Sequence, residues 1–285
     1  MKQLEPGIEE ITERQIQEMR RQGPPADLVE SFALPIPSLV ICDLLGVPHA
    51  DREGFQQDTK VLFTLDAPAH DITNAATSIA GYMRELVQQK RFKPGSDLLS
   101  DLIAGGELND EELTTIGMTL LVAGHETTAN MLALGTFALL EHPDQLEELR
   151  ENPALINGAV EELLRYLTIV HIGPTRAALE DLEVDGHHIT KGEVVTISLP
   201  AANRDPSCFE RPEDLDVTRS AAGHLAFSHG IHQCLGQQLS RIEMRIGFSA
   251  LLRNFPGLRL AVPAREVPLR EKALIYGVDR LPVAW

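Results

Sequence analysis

Residues 227 to 236 read Phe227-Ser228-His229-Gly230-Ile231-His232-Gln233-Cys234-Leu235-Gly236, a polar loop running into an amphipathic stretch from about Leu235 to Leu252. Apolar residues in that stretch recur at helical spacing, so it is expected to be a helix with Cys234 at its N-terminus. Free backbone N–H groups and the positive end of the dipole favour a thiolate there. Gly230 and Gly236 bracket the thiol, which lets the backbone turn sharply and a flat ligand approach without meeting a Cβ.

Four chemistries fit a cysteine so placed. It can be a buried structural residue. It can share a zinc ion with His229 and His232, although no second ligand pair stands at a recognised spacing. It can be a nucleophile with a histidine base, or the single axial thiolate of a haem iron.

Working toward the N-terminus, residues 182 to 199 carry turn signals at Asp185-Gly186 and Lys191-Gly192 between short apolar runs, which predicts a small β region. Before it, Pro153 to Leu167 places Leu155, Ile156, Ala159, Val160, Leu163, Leu164 and Leu167 at a 3.6-residue period, a helix that ends ahead of Pro174. No proline interrupts Gly95 to His142, and Asn109 with Glu112 forms a capping-box pattern. A long helix is expected from there to Glu141, with Asp110, Glu111 and Glu112 suiting its positive end. Inside its apolar body lies Ala123-Gly124-His125-Glu126-Thr127-Thr128, an acid beside a hydroxyl. The first 94 residues are cut by prolines into helix-length intervals, and short strands are expected near Leu258 to Val262 and Leu274 to Val278.

Composition excludes several classes. The 285 residues are 43% hydrophobic and 24% charged, the balance of an ordinary globular chain. With 25 Lys and Arg against 42 Asp and Glu, the net charge of -17 argues against nucleic acid or an anionic membrane as partner. Polar residues interrupt each of the most apolar stretches before it reaches membrane-spanning length. Lys2 is followed by Glu5, Glu9 and Glu10 rather than by an apolar signal segment, and Cys42, Cys208 and Cys234 are too dispersed for a disulfide scaffold. A cytoplasmic location is expected.

The pattern Phe-x-x-Gly-x-His-x-Cys-x-Gly, filled by Phe227, Gly230, His232, Cys234 and Gly236, resembles the haem-binding loop of the cytochrome P450 family, and with His224-Leu225-Ala226 before it is most similar to the soluble bacterial branch. The resemblance implies a mainly α fold with small β-sheets and haem b bound through Cys234, with His232 and Arg176 on its propionates. It implies that Gly124 leaves room for O2 and that Glu126 and Thr127 relay protons, with Thr128 the weaker candidate. Glu162-Leu163-Leu164-Arg165 resembles the family's structural ion pair behind the haem. Glu-x-x-Arg also occurs at Glu18/Arg21 and Glu147/Arg150, and order along the chain selects the 162 copy. Where the family adds a later arginine this chain has Asp214, which leaves Arg204 or Arg219 as third member. Ile169, Val170, Ile275 and Tyr276 fall where the family lines its substrate pocket.

The activity so implied is insertion of one oxygen atom from O2 into a hydrophobic small molecule. Electrons would come from a ferredoxin, its reductase and, indirectly, NAD(P)H. The resemblance covers residues 1 to 285 as one partial domain that begins part-way through the family's fold. Open strand edges at 182 to 199 and exposed apolar surface are therefore expected. The alternative is a truncated, non-catalytic relic that binds haem weakly or not at all. Charge is uneven as well: residues 97 to 183 hold 17 acids and three arginines, whereas 219 to 265 hold six arginines and one acid. A basic field on the thiol side, including Arg241 and Arg245, is expected to steer an acidic ferredoxin.

Overall fold

The computed structural model describes residues 3–285. Proline starts helices here as often as it ends them. Pro6 lies in the first turn of α1 (Glu5–Gln22) and Pro35 opens α2 (Pro35–Leu45), positions where the missing N–H costs nothing. A two-residue strand, β1 (Ala26–Asp27), separates them. Then come α3 (Arg52–Leu62), α4 (Ala69–Phe92) and α5 (Leu98–Gly105).

The long central helix, α6 (Asp110–Glu141), carries the capping box read from the sequence. Asn109 Oδ1 accepts the Glu111 and Glu112 N–H groups at 2.9 and 3.0 Å, and Glu112 accepts the Asn109 N–H at 2.9 Å. Helices α7 (Pro143–Glu151) and α8 (Ile156–Leu167) follow, with Pro153–Leu155 forming a 3-10 turn ahead of α8. Because α2, α4, α8 and α10 (Gln237–Asn254) all pack against α6, it has no solvent face from Ala129 to Leu134, where even the polar Asn130 is buried.

The β structure is slight. Strand β2 (Thr175–Ala177) pairs antiparallel with β5 (Val194–Thr196), and β3 (Leu182–Val184) pairs with β4 (His187–Ile189). Each sheet is two strands wide among the described residues, so both edges carry unpaired backbone groups. A short helix, α9 (Leu199–Ala202), follows. Near the end, β6 (Arg259–Leu260) and β1 both pair with β7 (Pro282–Ala284), a strand that local sequence did not announce. The expected strand at Leu274 to Val278 is instead two isolated bridges, Val170 to Ile275 and Leu269 to Val278.

One apolar cluster joins α1, α2, the second half of α6, α8, α10 and the C-terminal segment. A second joins α2 to α5 with the first half of α6. Among the described residues no helix is long and apolar enough to cross a membrane.

Candidate functional site

Cys234 is exposed and lies two residues before Gly236, the N-cap of α10, rather than on the first helical turn. What fixes it is the loop: its N–H donates to Phe227 O at 2.9 Å, and Gly230 takes the positive φ of 80° that the return of the chain requires. The described residues hold no cluster of three His, Cys, Asp or Glu side chains able to grip a metal ion, so His229 and His232 do not complete a zinc site with this thiol.

A cavity of about 320 Å³ opens beside the thiol. Thr127 from α6, Ile169 and Val170 from the segment after α8, Phe227 and His232 from the loop, and Arg176 from β2 line it together with Cys234. Seven candidates dispersed over more than 100 positions thus share one wall. Arg176 is exposed, and among the described residues its side chain donates only to Thr175 O. Ile275 and Tyr276 stand behind the wall: Tyr276 N–H donates to Ile169 O at 2.8 Å, and its ring stacks on His171 at 4.5 Å. Two apolar neighbours of the thiol, Ile231 and Leu235, are 97% and 82% exposed.

The three candidates on α6 diverge. Consecutive helical residues point about 100° apart. Thr127 faces the thiol cavity and its hydroxyl donates to Ala123 O at 2.9 Å. Glu126 instead lines a separate cleft, where it is ion-paired to Arg270 and approached by Asn130 Nδ2 at 3.4 Å. No hydrogen bond joins Glu126 to Thr127 among the described residues, so the adjacent pair of the sequence is not a direct relay as it stands. Gly124 faces α2: a Cβ there would lie 2.7 Å from Ile41 Cδ1, so this glycine admits α2 against α6 and does not line the thiol cavity. Thr128 is buried and meets Ser240 of α10 at 3.0 Å. His125 is buried too, and desolvation lowers its pKa.

Behind the loop the chain buries charge. Arg165 and Glu162 are fully buried and joined by two bonds of 2.7 and 2.8 Å. Arg165 also donates to the carbonyls of Asn203, Pro212 and Asp214. The third member is Arg219, whose Nε donates to Glu162 Oε1 at 3.1 Å, whereas Arg204 pairs with Glu213 and lies over Tyr166. Asp216 N–H completes the carboxylate's partners at 3.0 Å.

Sequence reading missed a second network nearer the thiol. Glu161 accepts two bonds from Arg241, at 2.7 and 2.9 Å, and one from His224 at 3.0 Å. Burial alone would raise the Glu161 pKa, but these partners hold it down at about 2. Arg241 lies 4.6 Å above the Phe227 ring. The expected basic field is correspondingly reduced, since Arg219 and Arg241 are paired internally and Arg245 is bonded to Glu5 at 3.0 Å. Charge counting cannot see pairing. Of the other cysteines, Cys42 is buried, with its thiol pushed up to about 12 by desolvation, and Cys208 is exposed.

The cytochrome P450 family model matches residues 55–154 and 153–273. The chain is 57% identical over 286 residues to cytochrome P450 105C1 of a Streptomyces species, covering 100% of this chain and 75% of that relative. It is 47% identical to a pentalenic acid synthase of Streptomyces avermitilis, covering 99% of this chain and 71% of the relative. Among solved structures, the complex of CYP105P1 with filipin I superposes with a TM-score of 0.98 at 46% identity, over 100% of this chain and 72% of that one. A fold shared along the whole length, with Cys234 on its loop at one wall of a cavity, identifies this chain as a member of the cytochrome P450 family of oxidoreductases.

Proposed function

We propose that the chain is a haem-thiolate monooxygenase that inserts one oxygen atom of O2 into a hydrophobic small molecule, with Cys234 as the proximal ligand. The observation that carries this is the shared wall of Cys234, His232, Arg176 and Thr127 around one cavity. Haem fits these residues. The thiol is a lone soft donor, Ile231 and Leu235 offer exposed apolar surface to a flat macrocycle, and Arg176 and His232 supply cationic or hydrogen-bonding ends for its carboxylates. When bound, thiolate-ligated haem supplies oxygen activation by directing electron density toward O–O cleavage.

The chain's own residues then do the rest. Ile169, Val170, Leu164 and Met131 make the cavity apolar, which selects a hydrophobic substrate and excludes water. Thr127 presents its hydroxyl to the cavity and passes protons there. Glu126, in its own cleft, recharges that hydroxyl through water once its carboxylate leaves Arg270. Ile275 and Tyr276 shape the pocket indirectly by holding residues 169 and 170 in place. Electrons arrive from an acidic ferredoxin and its reductase, fed by NAD(P)H, and a transfer rate that fails to fall with ionic strength would remove the electrostatic part of that docking.

The test is a carbon monoxide difference spectrum of the reduced, haem-reconstituted chain. The red-shifted band of thiolate ligation is expected, and is expected to vanish in Cys234→Ala. Its absence from the parent chain would favour the non-catalytic alternative.

A further inference from the structure

We propose that Arg241 is a positioning residue for the thiol loop: held by Glu161 and His224, its guanidinium fixes the Phe227 ring and thereby the turn that carries Cys234. The role in oxygen chemistry rests on the function proposed above, but the positioning itself does not.

Each link is a contact in the fold. Glu161 on α8 grips Arg241 of α10 through both Nε and Nη2, so the guanidinium is fixed as a plane rather than as a point. Gln237 adds its side-chain oxygen at 2.9 Å from below. The plane's carbon sits 4.6 Å from the centroid of Phe227, an attraction between a cation and the negative face of a ring. His224 braces the other side: its Nδ1 accepts the Ala226 N–H at 3.1 Å, which leaves Nε2 to carry the proton toward Glu161. Phe227 O in turn accepts the Cys234 N–H at 2.9 Å. Thus a carboxylate on one helix, a cation on another and an aromatic ring clamp the residue whose carbonyl anchors the thiol. Elsewhere the loop is held by the Leu225 N–H, which donates to Asn203 Oδ1, and by short backbone bonds of its own, while Ile231 and Leu235 are almost fully exposed. The low pKa of Glu161 keeps the clamp charged throughout the neutral range.

The test follows amide hydrogen exchange at Cys234 in the haem-free chain, read peptide by peptide by mass spectrometry, with alkylation of its already exposed thiol as the internal reference. Arg241→Met keeps the apolar reach and removes the charge, and is expected to speed the amide exchange by about tenfold, as a lost part-buried cation–ring contact would, and to leave alkylation of the exposed thiol unchanged. Arg241→Lys keeps a cation over the ring and is expected to restore part of the protection. Arg253→Met, on the same helix and remote from the clamp, is the control and is expected to change neither. In a Phe227→Leu background the Arg241→Met substitution is expected to add less than twofold, because the ring it acts on is gone. An exchange rate unchanged by Arg241→Met, or an effect of equal size with and without the Phe227 ring, would overturn the proposal. The reduction potential of the reconstituted protein is expected to shift in Arg241→Met and stay put in Arg253→Met. Failure of every variant to bind haem would instead count against the proposed function and leave the exchange result standing.

Discussion

Behind the thiol loop, charged groups are buried and paired; in front of it, apolar groups are exposed. Glu162 and Arg165 have no solvent contact, yet Arg165 meets two carboxylate oxygens and three backbone carbonyls. Ile231 and Leu235, a few residues from Cys234, touch almost nothing. The rear is complete on its own terms, since every buried charge there has its partners on the same chain. The front has the opposite character, an apolar surface with a thiol at its centre. The difference separates what holds the fold from the surface on which the proposed haem would lie, and it can be tested one side at a time.

The rear is expected to break hardest. Arg165→Ala would leave Glu162 with only Arg219 and one N–H, and would strand the carbonyls of Asn203, Pro212 and Asp214. Losing one partner of a buried pair costs about 3–5 kcal/mol, so the variant is expected to be largely unfolded or insoluble by circular dichroism at 37 °C. A soluble variant with an unchanged melting temperature would show that the network is decoration.

Gly124→Val is expected to come next. Its side chain would run into Ile41 of α2 at a helix contact with no spare space. Overpacking of this kind costs about 1–3 kcal/mol, read as a lower denaturation midpoint with an unchanged slope. If Gly124 served only to make room at the thiol cavity, stability would stay the same and ligand binding alone would change.

Unlike either region, Glu243 of α10 is buried at 1% exposure with no partner for its Oε2 among the described residues, and desolvation raises its pKa well above the ordinary range. The folded chain therefore holds a proton that the unfolded chain releases. This contribution to stability is fully present below the ordinary carboxylate pKa and is lost as pH rises toward the folded value. Glu243→Gln removes the dependence, so its stability relative to the parent is expected to increase from pH 5 to pH 8, by on the order of 1 kcal/mol or more. Glu161 slopes the other way. Its pKa is held down at about 2, so its contribution is present above the ordinary carboxylate range and is lost as pH falls toward 2. Parallel pH profiles for the parent and Glu243→Gln would contradict this assignment.

What could be read from sequence followed from range. The caps and periods of α6 and α8 are local, set by residues three or four apart, and Asn109, Glu112 and the Leu-rich face of α8 announced them. The thiol loop was legible because ten consecutive positions carry its chemistry. Partners across long loops were not. Arg204 and Arg219 are equally plausible for Glu162 by distance along the chain, and only the path of residues 204 to 219 decides between them. Arg241 counted as a free cation because nothing local marks Glu161, 80 positions away, as its partner. For Glu126 and Thr127 the limit is geometric: adjacency in sequence places side chains on different faces of a helix, and only the fold shows Thr127 at the thiol cavity and Glu126 in a cleft of its own. Strand β7 escaped notice because it is only three residues long and sits between β6 and a strand, β1, more than 250 residues away.

The front is expected to be the least sensitive in stability and the most sensitive in chemistry. Cys234→Ser replaces an exposed thiol that donates to no side chain among the described residues, and its backbone bond to Phe227 survives the change. Substitutions at such positions lie within about 0.5 kcal/mol, so chemical denaturation of the haem-free variant is expected to overlay that of the parent. The same substitution exchanges a soft thiolate donor for a hard, protonated hydroxyl, and the red-shifted carbon monoxide band is expected to disappear entirely. The pairing of these two results carries the comparison. A variant that lost stability as well would show that the thiol is part of the scaffold, and the line between rear and front would have to be redrawn through the loop itself.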